Sequence, residues 1–300
     1  MTIPRMLVFA SVGELASFTK AAAQLGISKS VVSHHITSLE AELSVKLLQR
    51  TTQKIELTDA GRIYLKRCLE IRRISQLAND EVQQKTSILQ GPLRITAPHA
   101  LIDTLIGPAT ADFVYENPLI KPDLIIDDAR REVIRENIDI AISVGSLPDS
   151  TLKIRKLGLL EEILCASPLY LAKHGPIINT EDLVNYDYIG NHWEGNIIQK
   201  KLNKDDSQYT VQIGAATRRS NSVFTTRIMS IQGLGIACLP LSVVSDDILQ
   251  GRLIKILPEY KISKSPISAI HAYGNLAPAR IKLYIDHLKK YTQSLSIFQG

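Results

Sequence analysis

The 300-residue chain holds only three cysteines, Cys68, Cys165 and Cys238, widely spaced and without a CxxC or Cys/His cluster. Such spacing excludes a disulfide framework and offers zinc no ligand set. The three read as buried thiols. A peroxide-sensing pair is the lesser alternative, since a reactive thiol needs a special microenvironment. Long apolar runs are missing as well. No window approaches ~18 uninterrupted apolar residues, so no membrane-spanning helix is expected. The opening stretch MTIPRMLVFASVGELASF has one Arg, an apolar run broken by Glu14, and no convincing cleavage site. It reads as a first helix rather than a signal peptide, which makes a cytoplasmic protein the expectation. Catalytic signatures are absent too: there is no G-x-S-x-G elbow, no G-x-x-x-x-G-K-[ST] phosphate loop and no G-x-G-x-x-G after a strand. GLGIA reads as a turn into a strand. His34 and His35 cannot share a metal, because helix neighbours diverge by about 100°. Neither an enzyme, nor a metal site, nor a cofactor is expected.

What is present describes a soluble globular protein, 45% hydrophobic and 22% charged. Its length suits roughly two domains with sizeable cores. The net charge of +5 is uneven, with 12 Lys and Arg against 8 Asp and Glu in residues 1–90 and 23 against 22 in residues 91–300. A modest basic excess over the first part means that any nucleic-acid binding rests on where charges sit rather than on bulk attraction.

Ser17 to Leu43, SFTKAAAQLGISKSVVSHHITSLEAEL, contains two short helical patterns joined at Gly26. Ser17 suits an N-cap, Ala21 to Ala23 and Leu25 favour helix, and Gly26 allows a sharp stop. Ser28 suits the cap of the second helix, on which Val32, Ile36, Leu39 and Leu43 form one apolar stripe. The opposite stripe, Ser30, Ser33, His34 and Thr37, is small, polar and free of carboxylates. That face fits a DNA major groove, and the pair fits a helix-turn-helix. An ordinary helical hairpin with a polar outer face is the alternative.

Residues 4–13 predict a preceding helix. Beyond Leu43, Leu47 and Leu48 are core candidates, and RTTQKIELT reads as a small β-ribbon, Ile55 and Leu57 alternating with polar neighbours. Its tip, Arg50 to Lys54, suits phosphate contact, with a solvated loop as the other reading. Thr58 or Asp59 then caps a long helix from about Ala60 to Leu89. Tyr64, Cys68, Ile71, Ala78, Val82 and Leu89 approximate a seam of the kind that pairs helices between chains. Gly91-Pro92 ends it and marks a hinge.

Phe9, Ser17-Phe18-Thr19, Ala21-Ala22, Leu25, Val32-Ser33, Leu39-Glu40, Leu43, Arg50, Leu57-Thr58 and Ala60-Gly61 together resemble the N-terminal winged helix-turn-helix of the LysR-type transcriptional regulators. Two residues depart from the family pattern: Ser44 stands where Gly is usual, and Leu48 where Phe is usual. The resemblance implies a mostly-α winged helix-turn-helix at residues 1–60 and a linker and dimerisation helix at residues 61–90.

Residues 91–300 alternate strands and helices, which predicts right-handed βαβ units and a parallel sheet. Strands are expected at Leu93–Ala97, Asp123–Asp127 and IDIAISVG, with helices over Ala100–Tyr115 and around Arg130–Glu136. Further strands are expected at EILCAS, YDYIGNHW, VQIGA, GIACLP, LIKIL and SAIHAY. Helices are expected at PLYLAKHG, EDLVNY, Ser222–Gln232, Leu241–Ile248 and Pro278–Gln293. GPLRITAP, ENIDIAISVG, LPDSTLKIRKLG and GLGIACLP resemble the family's effector domain, an α/β fold of two lobes like the type 2 periplasmic solute-binding proteins. The implied lobes are about 91–164 with 269–300, and about 165–268. Ser143 replaces the Arg usual in the family's third strand.

Ligands in open α/β lobes bind beyond the carboxyl ends of strands, often at helix N-termini. Four segments then converge on an interlobe cleft: Pro98-His99-Ala100, Ser143 to Ser146 with Gly145, Asn191-His192-Trp193, and Ser220-Asn221-Ser222. His99 and Ser222 would offer donors or backbone N–H groups to an anion, so a small organic acid is expected, aromatic if Trp193 stacks on it. Taken singly, Trp193 reads more readily as a core residue, and His99 equally as a cap or loop residue. The function expected is a ligand-responsive transcriptional regulator of double-stranded promoter DNA. Ser28, Lys29, Ser30, Ser33, His34 and Thr37 face the groove, and Lys29, Arg50, Thr52 and Lys54 hold phosphates. Family resemblance implies a homo-oligomer, dimer or tetramer, and leaves room for RNA polymerase as a partner. A stand-alone solute-binding module is the competing reading.

Overall fold

The computed structural model describes residues 3–50, 55–83, 89–129, 131–147, 152–195, 198–205, 207–213 and 216–299. Two compact units emerge, one of Met1–Ile88 with the short pieces Glu132–Ile138 and Leu276–Pro278, the other of the remaining chain.

The first unit begins with α1 (Ile3–Leu15), α2 (Phe18–Leu25) and α3 (Lys29–Leu43). Ser17 caps α2 by accepting from the Lys20 N–H at 3.2 Å. Gly26 ends α2 at φ 65°, and the Gly26 and Ile27 N–H groups return to Ala23 and Ala22. A side chain would find that left-handed turn costly by about 1–2 kcal/mol. Ser28 caps α3 by accepting from the Val31 N–H at 3.3 Å. The predicted stripe packs as expected: Val32, Ile36 and Leu39 are buried with Phe9, Ala21 and Ala22, and Leu43 packs against the same cluster.

β1 (Leu48–Arg50) and β2 (Ile55–Leu57) pair antiparallel, with Leu48 opposite Leu57 and Arg50 opposite Ile55. They form the wing, whose tip at residues 51–54, including Thr52 and Lys54, lies outside the described residues. α4 (Asp59–Gln83) follows, and Thr58 is its cap, with the hydroxyl accepting from the Gly61 N–H at 2.9 Å and donating to the Lys46 carbonyl at 2.7 Å. The helix was expected to reach Leu89, but Leu89 is not helical, and residues 84–88 lie outside the description. The expected seam also needs correction. Cys68 is fully buried in the unit's own core, the Tyr64 ring lies tilted against Phe9 with centroids 5.6 Å apart, and Ile71 packs against the same cluster. Among the described side chains of α4, the large apolar ones left exposed are Ile63 and Ile74.

The second unit is built on β3 (Gly91–Ala97), α5 (Gly107–Glu116), β4 (Ile120–Ile126), β5 (Ile140–Val144) and β6 (Lys153–Leu160). The chain then passes to a second lobe with β7 (Glu162–Ala166), α6 (Pro168–His174), β8 (Tyr188–Asn191), β9 (Ile198–Lys204), β10 (Ser207–Ile213) and β11 (Ala216–Ser220). That lobe continues through α7 (Val223–Ile231), β12 (Ala237–Pro240), α8 (Leu241–Leu249), β13 (Ile254–Lys255) and β14 (Lys261–Ile262). β15 (Ser265–His271) and α9 (Ala279–Ser294) return to the first lobe.

The first lobe's sheet has the order β4-β3-β5-β15-β6. β3 is parallel to β4 and β5, as expected, but β15 runs antiparallel to both β5 and β6, so the sheet is mixed. β15 arrives from the other lobe rather than over a helical crossover on the same sheet, so nothing obliges it to be parallel. Two helix expectations also change. Where a helix was expected around Arg130–Glu136, Arg130 lies outside the described residues and 133–137 form a single turn: Asn137 takes φ 52° and the Ile138 N–H returns to the Val133 carbonyl at 2.9 Å, sending the chain straight into β5. The 100–115 segment opens as a 3-10 turn and a π turn before α5, because Pro108 in the first turn of α5 lacks an N–H to continue the preceding ladder.

In the second lobe β7 is flanked antiparallel by β12 and β13, β8 pairs parallel with β11, and the β9–β10 hairpin carries β14. β7 alternates between two cores: Leu164 and Ala166 join Tyr188, Leu202 and Cys238, while Ile163 and Cys165 join Val223, Leu239 and Val244.

Candidate functional site

Ser30, His34 and Thr37 are exposed on one face of α3 with Ser33 half-buried beside them, and Ser28 and Lys29 are exposed at the helix N-terminus. The predicted groove-facing stripe is thus continuous and opposite the buried one. Its hydroxyls are partly committed. Ser28 and Ser30 share a hydrogen bond of 2.8 Å, and Thr37 donates to the Ser33 carbonyl at 3.0 Å. Arg50 ends β1, and its side chain lies outside the description.

Sequence reading missed what fixes this helix to the wing. Glu40, 8% exposed, accepts from the N–H groups of Leu47 and Leu48 at 3.0 and 3.1 Å and from the Lys46 ammonium at 2.6 Å. Burial pushes its carboxyl up, but the Lys46 hydrogen bond and the two amides together hold it below the usual carboxylate range. The signal was a lone carboxylate next to Leu39 on an otherwise apolar side. Sequence reading also missed Val31, which is 41% exposed in the first turn of α3.

In the sensor unit the predicted residues fall at the carboxyl ends of β3, β5, β8 and β11. β11 and β8 bring two segments together, since Ser220 lies opposite Asn191 and the His192 N–H donates to the Ser220 carbonyl at 2.9 Å. The lobes meet where His99 stands edge-on to Phe224, ring centroids 6.4 Å apart, and Ala100 packs against the second lobe's core. Pro98 is half-buried, accepting from the Leu101 N–H at 3.1 Å. Ser143 is half-buried opposite Ser268, and Gly145 turns at φ 89° with its N–H on the Pro266 carbonyl. His192, Trp193 and Asn221 are exposed, so Trp193 is not a core residue.

The amides expected to meet an anion are already engaged. His99 donates its N–H to Asp128 at 2.9 Å, with its ring Nδ1 3.1 Å from the other carboxylate oxygen, and Ser222 donates its N–H to the Ser220 hydroxyl at 3.0 Å. Asn191 is buried, its carboxamide oxygen accepting from Thr226 at 3.1 Å. Asp127 also sits at this edge, held below the usual carboxylate range first by the Ala129 N–H and further by Arg131 at 2.6 Å, against the effect of burial. Asp128, Phe224 and Thr226 are the members that sequence reading missed. The acidic pair after β4 was the available signal. A cavity of about 100 Å³ lies elsewhere, at the edge of β7 between Glu162, Leu202, Leu257 and Tyr260, and none of the predicted effector residues lines it.

The cysteines are inert by burial, which pushes Cys68 and Cys165 up to about 12 and raises Cys238 as well. Cys165 and Cys238 occupy neighbouring strands but opposite cores. Among the described residues there is no His, Cys, Asp and Glu group placed to hold a metal, and no helix is long and apolar enough to cross a membrane.

A winged helix-turn-helix followed by a two-lobed α/β sensor defines a ligand-responsive transcriptional regulator. Residues 3–62 match the bacterial regulatory helix-turn-helix model of the lysR family, and residues 87–293 match the LysR substrate binding domain. The HTH-type transcriptional regulator PtxR of Pseudomonas aeruginosa is 29% identical over 293 residues, covering 97% of this chain and 93% of that protein. The HTH-type transcriptional activator AaeR of Escherichia coli is 30% identical over 297 residues, covering 96% and 93%. The structure of CrgA, a LysR-type transcriptional regulator from Neisseria meningitidis, superposes with a TM-score of 0.60 at 31% identity over 97% of this chain and 98% of that one. The chain belongs to the LysR family of transcriptional regulators, with a DNA-binding and an effector-binding domain.

Proposed function

We propose that this regulator grips operator DNA with α3 and the wing, and changes that grip when a small organic acid enters between the two sensor lobes. The observation that carries the reading is the face of α3: Ser30, His34 and Thr37 exposed together with Ser28 and Lys29 exposed at the helix N-terminus, no carboxylate among them, and the face opposite a packed apolar stripe. Ser33, His34 and Thr37 meet base edges, and Lys29, Arg50, Thr52 and Lys54 hold phosphates. Residues 1–60 act as reader, 61–90 as linker and 91–300 as sensor. The chain works as a cytoplasmic homo-oligomer, without enzymatic activity, and RNA polymerase is its downstream partner. Ile63 and Ile74 lie eleven positions apart, on one face of α4, and supply the apolar contact between copies.

With the His99 and Ser222 amides engaged, the acid is held by side chains: the His99 ring and the hydroxyls of Ser143 and Ser222, with Asn221 and Trp193 at the mouth. Binding one lobe arrangement better than the other shifts the population of DNA-competent oligomers. Two measurements test this reading. Arg50→Ala should weaken binding to every duplex alike and lower the salt slope by about one; an unchanged slope removes Arg50 from the phosphate contacts. A calorimetric screen that finds amines or neutral compounds as the only binders removes the acid.

A further inference from the structure

α3 is poorly equipped for the usual hydrogen-bonded reading of bases. Arg or Lys pairs with guanine and Asn or Gln with adenine, yet KSVVSHHITSLEAEL contains no Arg, Asn or Gln, and its single Lys, Lys29, is taken above as a phosphate contact. Two of the small hydroxyl donors on the exposed face are engaged within the helix, one of the Ser28–Ser30 pair and Thr37. The Ser28 hydroxyl accepts from the Val31 N–H and also bonds to Ser30, and the Thr37 hydroxyl donates its proton to the Ser33 carbonyl. What α3 exposes as well is methyl groups, on the two sides of that face. Val31 is 41% exposed in the first turn of the helix, the part that enters a groove first in a helix-turn-helix. Its β-branch leaves one strongly preferred rotamer in a helix, so its two methyls stand in a fixed place. Thr37, exposed on the same helix, has its χ1 tied down by the bond to Ser33, which fixes its methyl group as well.

We infer that α3 recognises thymine by its C5 methyl group, through apolar contact with the Val31 side chain and the Thr37 methyl. Thymine is the one base that presents a methyl group in the major groove, and the contact needs no donor from the protein. This rests on α3 being the DNA-reading helix, and it specifies what that helix reads.

The test uses the full-length protein. Duplexes are enriched from a random pool, and each thymine of the selected site is replaced in turn by deoxyuridine, which removes the methyl group alone. At one or two positions the replacement should weaken binding about fourfold at fixed salt, as expected for one buried methyl group. Val31→Ala should abolish the loss at one of these positions and Thr37→Ser at the other, while Thr37→Val, which keeps the methyl group and removes the hydroxyl, should retain it. Both residues are exposed, so unchanged melting temperatures check that the variants fold. Deoxyuridine tolerated at every position, or losses that persist unchanged in both variants, would overturn the inference. A pool in which no sequence is enriched would overturn the DNA-reading role of α3 itself.

Discussion

Gly61 faces Leu47 so closely that a Cβ at position 61 would lie 2.0 Å from the Leu47 carbonyl oxygen. The first turn of α4 is thereby pressed against the strand that starts the wing, and the same carbonyl accepts from the Thr58 N–H at 3.0 Å. Gly61→Ala must push the wing and α4 apart. We expect a loss of roughly 3 kcal/mol in stability, the upper range of an overpacked contact, together with weakened DNA binding. Chemical denaturation and fluorescence anisotropy on a labelled duplex check both.

Glu40 gives a pH signature. Its folded carboxyl titrates lower than it would in the unfolded chain, so its contribution is present above the ordinary glutamate value of about 4.3 and is lost as pH falls through the folded value. Glu40→Gln should cost about 2–3 kcal/mol at pH 7, the range for a buried charge-assisted group losing partners. The gap between wild type and variant should close below about pH 4. Denaturation curves at pH 7, 5 and 3.5 measure it, and a gap of constant size would show that the carboxylate charge plays no part.

Ser44 ends α3 at φ 54°, with the Ser44 and Val45 N–H groups returning to the carbonyls of Ala41 and Glu40. This is the left-handed C-cap that glycine fills at least cost, which explains the family's usual residue at the position. Ser44→Gly should stabilise the chain by roughly 0.5–1 kcal/mol without altering operator sequence preference. A melting curve paired with a binding-site selection checks both parts.

Local signals were legible in the sequence and tertiary ones were not. The caps at Ser17 and Ser28, the stop at Gly26 and the stripe of Val32, Ile36 and Leu39 depend on residues three to eleven apart, and each was placed correctly. Glu40 entered only as part of the family pattern Leu39-Glu40, and its role stayed hidden because its partners Lys46, Leu47 and Leu48 come from beyond the turn at Ser44. The β9–β10 hairpin escaped notice for a similar reason. Its inward positions run Ile198, Lys200, Leu202, and the half-buried lysine breaks the alternation that would mark a strand. The α4 seam was misjudged because heptad spacing alone does not say whether Tyr64 and Cys68 face another chain or their own core. The segments expected to hold an effector do lie at the carboxyl ends of strands, but the commitment of the His99 and Ser222 amides to Asp128 and Ser220 follows from backbone turns that no spacing rule encodes.

Lys200 is the support beneath the loop that carries Asn191, His192 and Trp193. Its ammonium lies 2.8 Å from Glu194, whose other carboxylate oxygen accepts from the Asn191 N–H at 2.7 Å, while the Tyr188 hydroxyl donates to Glu194 at 3.0 Å. Burial alone would lower the Lys200 pKa, but Cys238, Glu162 and Glu194 outweigh it and raise it. Lys200→Met leaves Glu194 buried without its cation and should cost about 3–5 kcal/mol. Effector affinity should fall with it, whereas DNA affinity without effector should change little. Calorimetry with an acid found by screening, set beside anisotropy on the operator, separates the two.

The most direct test of the account is a quantitative footprint of the full-length protein on the DNA upstream of its own coding sequence, with and without a bound organic acid. The account predicts a protected dyad whose half-sites are spaced by whole helical turns, lost or moved to another sequence by His34→Ala, and altered in extent or in hypersensitive positions by the acid. Protection that His34→Ala leaves unchanged, or that no sensor ligand alters, would contradict it.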